Sequence, residues 1–260
     1  MGNRWGTILV ATAFNLLFEY SLRGINNLVM QPLLPLILFV AYFSLFTMVE
    51  DLIVRFRFKD YHLIILAFTF GTVYHFLVSG AALLQTSFAG VNWGSLIFVN
   101  AVWWGALQLV MTFYLANRAA PRDVNHSLMT KGGWAFFLIL NGIVILLFQA
   151  SGAIPRANVL QILLMISIFL AFAGLLWKIL PKTSQRIVPI GFSQIVAMDF
   201  LCAATLVVFI VSAIFLTFDP FQSGASNISR TASIVITVWT IISAVFMLSY
   251  RLYARRSIPV

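Results

Sequence analysis

The chain has 260 residues, 62% of them hydrophobic and 9% charged, with a mean hydropathy of +1.00. A water-soluble domain is about 45–50% apolar and about 25% charged, so a surface solvated by water on all sides is excluded. The formal charge of +9 does not point to nucleic acid, because the cations stand singly or in threes between apolar runs and form no basic stripe.

A bilayer core of about 30 Å needs roughly 17–25 mostly apolar helical residues. The first run, MGNRWGTILVATAFNLLFEYSLRG, predicts a span at 6–22. Phe18, Glu19 and Tyr20 occupy the place where a small-residue cleavage site would fall, so this span is expected to stay uncleaved. Further spans are expected at 29–49, 62–81, 93–115, 133–150, 158–177, 190–217 and 231–250. The connectors are short and turn-rich, and Pro121, Pro155, Pro181, Pro189 and Pro220 all lie in or beside them, where a missing N–H costs little. The expected fold is therefore an all-α integral membrane bundle of about eight transmembrane helices. It forms a single polytopic domain over residues 1–260, with no soluble domain.

Lys and Arg alternate in density from connector to connector. Thirteen fall at the N-terminus, in every second connector and in the tail, against three in the connectors between. This bias matches the excess of cations in cytoplasmic loops. It places both termini in the cytoplasm, in the plasma membrane of a bacterium or archaeon. The sequons at Asn125 and Asn227 fall on opposite sides under this topology.

Polar residues inside the spans need a reason, since an ionisable group at a helix centre costs roughly 2.5–3.5 kcal/mol on insertion scales. Glu19 and Arg23, four residues apart on one helical face near the outer end of the first span, read as an interfacial pair or as the lining of an outward-facing cavity. Glu50, Asp51 and Arg55 belong to a charged stretch, MVEDLIVRFRFKD, read as a short cytoplasmic turn whose cations anchor the topology. His75 lies about 20 Å along its span from the cytoplasmic end. It reads as a hydrogen-bonded interior residue or as a proton-transfer group. Asp199, about ten residues into the seventh expected span, reads as the acid nearest mid-bilayer, with no partner that the sequence names.

Asn15, Asn100, Gln108, Asn141, Gln149 and Gln161 read as interhelical hydrogen-bond formers. With Glu19 and His75, several of them fall in the outer half and suggest a polar cavity there. Trp5, Trp93, Trp134 and Trp177 fit the interfacial aromatic belt. Trp103 and Trp104 are mid-span and read as aromatic packing.

The four lysines lie in connectors or at span ends, which argues against a retinal protein. Nucleotide-binding, zinc-protease and serine-hydrolase motifs are absent in usable context. A single span histidine argues against a bis-histidine haem, and the lone Cys202, in an apolar run, against a disulfide or cysteine cluster. No metal and no cofactor are expected.

One local motif pair remains. Glu50-Asp51-xxx-Arg55 followed by Phe70 to His75 resembles the acid-acid-xxx-Arg and Phe-xxx-His motifs of CAAX-type intramembrane proteases. The resemblance implies carboxylates and histidine activating a water for peptide hydrolysis. It covers some thirty residues, its Phe-to-His spacing is one residue too long, and the second histidine motif is missing.

The functional expectation is a small permease, carrier or membrane subunit of a larger complex, with Asp199, His75, Glu19, Arg23 and Asn100 along a polar path. The alternatives are an intramembrane enzyme acting on a lipid or lipid-linked substrate, using His75 with Glu19 or Glu50, and a non-catalytic scaffold. The expected partners are the lipid bilayer, other membrane subunits or a second copy, and no nucleic acid.

Overall fold

The computed structural model describes residues 4–122, 129–152, 154–180, 195–216 and 228–260. All their regular structure is helical. Helix α1 (Arg4–Arg23) ends at Gly24, whose φ of 81° closes the helix in the left-handed region open to glycine. A single turn, α2 (Asn27–Met30), leads to α3 (Leu34–Phe56), which starts with a proline in its first turn. Helix α4 (Asp60–Leu77) follows, its first turn closed by His62, whose Nδ1 accepts from the Lys59 N–H at 2.9 Å. Two 3₁₀ turns precede α5 (Trp93–Phe98), a π segment (Val99–Met111) and α6 (Thr112–Ala119), which form one continuous rod. The rest are α7 (Lys131–Ala150), α8 (Val159–Ile179), α9 (Val196–Phe215) and α10 (Arg230–Ala254). Side-chain caps from Thr130, Asn158 and Ser229 set the starts of α7, α8 and α10.

Six helices are long and apolar enough to cross a membrane: Leu34–Phe56, Trp93–Ala119, Lys131–Ala150, Val159–Ile179, Val196–Phe215 and Arg230–Ala254. The other two expected spans correspond to α1 and α4, with 20 and 18 residues. These two are more polar than the six, and both are packed among other helices. Helix α1 packs on α3, α6, α9 and α10, and α4 packs on the π segment, α7 and α8. Buried Thr7, Thr12, Asn15 and Ser21 on α1, and Thr69, Thr72 and His75 on α4, lower their apolarity because they face other helices.

The connectors interlock at two opposite ends. At one end, Thr7 donates to the Ala120 carbonyl at 2.6 Å and the Met129 N–H to Asp51 at 3.0 Å. There too the Ile258 N–H reaches Asp60 at 3.1 Å. At the other end, Ile25 N–H bonds the Ala213 carbonyl at 2.9 Å and Ser229 N–H the Leu22 carbonyl at 2.9 Å. Gln149 donates to the Leu77 carbonyl at 2.7 Å and Gln161 to the Gly90 carbonyl at 2.6 Å. Consecutive long helices therefore alternate in direction. The described cations of the dense connectors gather at the first end, and Arg23, Arg156 and Arg230 lie at the second. Asn125 and Asn227 are outside the described residues.

Two sequence expectations change here. Helix α3 is shifted from 29–49 to Leu34–Phe56, so the turn is only Arg57–Lys59 and Glu50 and Asp51 sit inside the helix. They are not a solvated turn: both are 0% exposed, and Asp60 is 1% exposed. The reason is that each acid receives a donor from a distant segment, which a hydropathy scan does not register. Helix α9 begins at Val196 rather than near residue 190, because Ile195 is in an extended conformation. Asp199 is therefore in the first turn of the helix, not near its middle.

Candidate functional site

Helix geometry changes at Val99. A π turn is usually a single bulge inside an α-helix and is frequently found at functional sites, yet here thirteen residues adopt it. Gly105 allows this rod to lie close to α4, since a Cβ there would stand 3.4 Å from the Ile64 Cα, and it would also stand 2.9 Å from the Asn100 carbonyl oxygen of its own wide turn. Gly71 makes the matching approach from α4, since its Cβ would fall 2.5 Å from Asn100 Oδ1. Small residues at a helix contact are what close backbone packing in a membrane requires.

Around this rod the buried polar side chains form three groups. In the first, α1 faces the rod with two rungs. Arg23 Nε donates to Glu19 at 3.2 Å, the Tyr42 hydroxyl donates to the other Glu19 oxygen at 2.5 Å, and Gln108 Nε2 donates to Tyr42 at 3.2 Å. One turn inward, Asn15 Nδ2 donates to Thr112 Oγ1 at 3.0 Å. Tyr42 stacks on Phe46 and tilts against Trp104. In the second group, α4 faces the rod. Asn100 Nδ2 donates to Thr72 Oγ1 at 3.1 Å, and His75 Nε2 lies 3.1 Å from Ser95 Oγ. Ser79 Oγ is 3.4 Å from the other ring nitrogen. In the third group, the Tyr74 hydroxyl donates to Asn141 Oδ1, and Asn141 Nδ2 donates to Ser44 Oγ at 2.8 Å.

Several buried polar atoms in this region lack a hydrogen-bond partner: Asn15 Oδ1, Tyr20 Oη, Asn100 Oδ1 and Trp103 Nε1. A buried donor or acceptor left unmade costs about 1–3 kcal/mol. Native interiors hold few such atoms, and each one asks for an explanation such as a water, a ligand or a strained functional state. Trp103 is otherwise held edge-on by Phe18 and Phe98. Trp104 is held by Phe70 and Tyr74, the aromatic packing expected for it.

The other predicted residues lie at the cation-rich end. Arg122 Nε pairs with Glu50 at 2.9 Å, with both side chains buried, and Arg122 also donates to the backbone oxygen of Val260. Asp51 takes Arg55 at 2.7 Å, the Met129 N–H at 3.0 Å and the Trp134 indole N–H at 2.8 Å. Asp60 takes Arg251 at 3.0 Å and the Ile258 N–H. Asp199 is held by Arg118 at 2.9 and 3.0 Å and by the Tyr114 hydroxyl at 2.8 Å. The partner that sequence does not name is thus an arginine some eighty residues earlier, brought close because α6 and α9 both pack on α1.

The path expected through Asp199, His75, Glu19, Arg23 and Asn100 is accordingly divided. Asp199 is at the cation-rich end, Glu19 and Arg23 are in the α1 group, and His75 and Asn100 share the α4 seam. The geometry implied by the protease resemblance is also missing. Glu50 lies about 9 Å before the end of α3 and His75 about 22 Å past the start of α4, with different partners. Among the described residues, no three His, Cys, Asp or Glu side chains come together as a metal site. All six span amides do bond across to another segment, as expected. Tyr42, Tyr74, Tyr114 and Trp134 escape sequence reading, because a tyrosine or tryptophan in a greasy run looks like packing. Comparison with protein-family models, with curated proteins and with solved structures gives no match.

Proposed function

We propose that the protein is an integral membrane carrier of a small polar solute, either alone or as the membrane subunit of a larger complex, with both termini in the cytoplasm. The translocation site is the polar group on the α1 side of the π segment, Glu19, Tyr42 and Gln108, with Asn100 in the separate α4 seam of the same rod. The observation that carries this reading is the set of orphaned, buried polar atoms on and around thirteen residues of π helix, beside a Gln108 that Tyr42 links to the Glu19 carboxylate. Wide-helix backbone and unsatisfied polar atoms are costly to keep in an apolar bundle, and a transient solute or water repays that cost. Sidedness is supported by the cations, since the connectors that interlock at one end are the ones rich in Lys and Arg.

A second reading, a non-catalytic scaffold, is favoured by a specific observation. Every described acid is ion-paired: Glu19, Glu50, Asp51, Asp60 and Asp199. The two readings separate in reconstituted liposomes carrying a pH-sensitive dye, screened against a panel of small polar solutes under an imposed ion gradient. The carrier reading expects solute-dependent flux that falls about tenfold in Glu19→Gln, the loss of one charge-assisted hydrogen bond of at least about 1.5 kcal/mol in the transport barrier. No flux for any solute, with co-purifying partners unaffected by Glu19→Gln, sinks the carrier and leaves the scaffold.

A further inference from the structure

Helices α6 and α9 both lie on α1, and at the cation-rich end they are bridged by side chains rather than packed directly together. Between them runs an open groove of about 320 Å³, lined by Leu115, Arg118 and Ala119 of α6 and by Asp199, Cys202, Ala203 and Leu206 of α9. The spacing explains the groove. Positions 199, 202, 203 and 206 share one face of α9, and 115, 118 and 119 share one face of α6. Three of these seven residues, Ala119, Cys202 and Ala203, are too small to fill the space between the helices.

The groove is chemically two-ended. Its floor and walls are apolar, descending about 10 Å along α9 from residue 199 to residue 206. Its rim holds one guanidinium and one carboxylate, partly exposed and fixed side by side by the Tyr114 hydroxyl and a two-point Arg118–Asp199 pair. That rim sits in the first turn of a helix apolar enough to cross a bilayer, at the depth where the hydrocarbon core gives way to headgroups. Water has no favourable place in the lower half, and a bare ion has none there either. A ligand matching both halves carries a hydrocarbon chain beneath a head with one negative and one positive group.

We propose that this groove is a specific site for one zwitterionic phospholipid, with a phosphate at Arg118, an ammonium at Asp199 and an acyl chain along Leu115, Cys202, Ala203 and Leu206. The site rests on the membrane reading above and is independent of the solute carried. Because Asp199 is already paired with Arg118, a zwitterionic head joins the pair with both its charges matched, whereas a purely anionic head gains Arg118 alone and meets Asp199 with no cation of its own.

Native mass spectrometry of delipidated protein in mild detergent tests this, with phosphatidylethanolamine, phosphatidylglycerol and glycerophosphoethanolamine added separately. The expected result is one retained phosphatidylethanolamine per chain, little phosphatidylglycerol and no binding of the chainless head. Ala203→Leu should cut retention about tenfold by filling the groove, while Ala203→Ser keeps it. Both substitutions are at an exposed position, so the melting temperature should be unchanged. Asp199→Asn should erase the preference between the two lipids. Equal retention of both lipids by the wild type, or full retention in Ala203→Leu, would overturn the site. Loss of stability in Ala203→Leu with no lipid bound would also overturn it, by showing that the chain fills the groove itself. Recovery of the protein in a detergent-free soluble fraction would instead overturn the membrane reading beneath it.

Discussion

A carboxylate enclosed by apolar helices needs a proton or an opposite charge, and Glu50 has the charge. Both members of its pair with Arg122 are buried, so removing one strands the other. Breaking such a pair costs about 3–5 kcal/mol, whereas replacing both partners by apolar residues of similar size is often neutral or better. Arg122→Met should therefore lower stability by about that amount, and Glu50→Leu combined with Arg122→Met should recover most of it, read by thermal unfolding in micelles. An unchanged single variant would mean that Glu50 is protonated and needs no partner. The glycines give a second residue-scale expectation. At Gly71 an added Cβ meets the tip of the Asn100 side chain, which can turn away at the expense of its bond to Thr72. At Gly105 it meets backbone, which cannot. Overpacking costs about 1–3 kcal/mol, so Gly105→Ala should sit at the upper end of that range and Gly71→Ala at the lower. The reverse order in the same unfolding assay would mean that the close approach at Gly105 is not a real constraint.

Element by element, much of the architecture is legible in the amino-acid sequence. Among the described residues each expected stretch overlaps one long helical rod, and six of these rods are long and apolar enough to cross a membrane, because an extended apolar run bounded by Pro, Gly or charge has little else to become. The ends are less legible. Helix α3 extends through Phe56 because Glu50 and Asp51 find donors at Arg122, Met129 and Trp134, and a window of hydropathy stops at the first charges it meets. Asp199 moves from an expected mid-span place to a first turn because α9 starts at Val196, after an extended Ile195. The π segment is invisible, since neither composition nor period distinguishes VNAVWWGALQLVM from an α-helix of the same residues. The Glu19–Arg23 pair is visible from its spacing alone. Its extension to Tyr42 and Gln108 is not, because it crosses three elements.

At the scale of the molecule, the polar helices α1 and α4 share the interior with α3 and the rod. Helices α7, α8 and α10 leave large apolar side chains such as Leu146, Leu163 and Val245 exposed. Lipid is the solvent those faces fit. The proposed orientation then has a direct check. In a Cys202→Ser background, Thr86→Cys at one end should react with a membrane-impermeant maleimide in intact cells, and Arg256→Cys at the other only after lysis. Labelling in the opposite order would invert the whole arrangement. The last residues of the chain carry a further consequence, for biogenesis. Asp60 is made early, yet two of its partners, Arg251 and the Ile258 N–H, arrive up to 198 residues later. At roughly 5–20 residues per second, a ribosome needs about 10–40 s to deliver them. During that interval Asp60 lacks the ion pair it holds in the folded chain, and residues 251–258 act as the clasp that shuts the bundle.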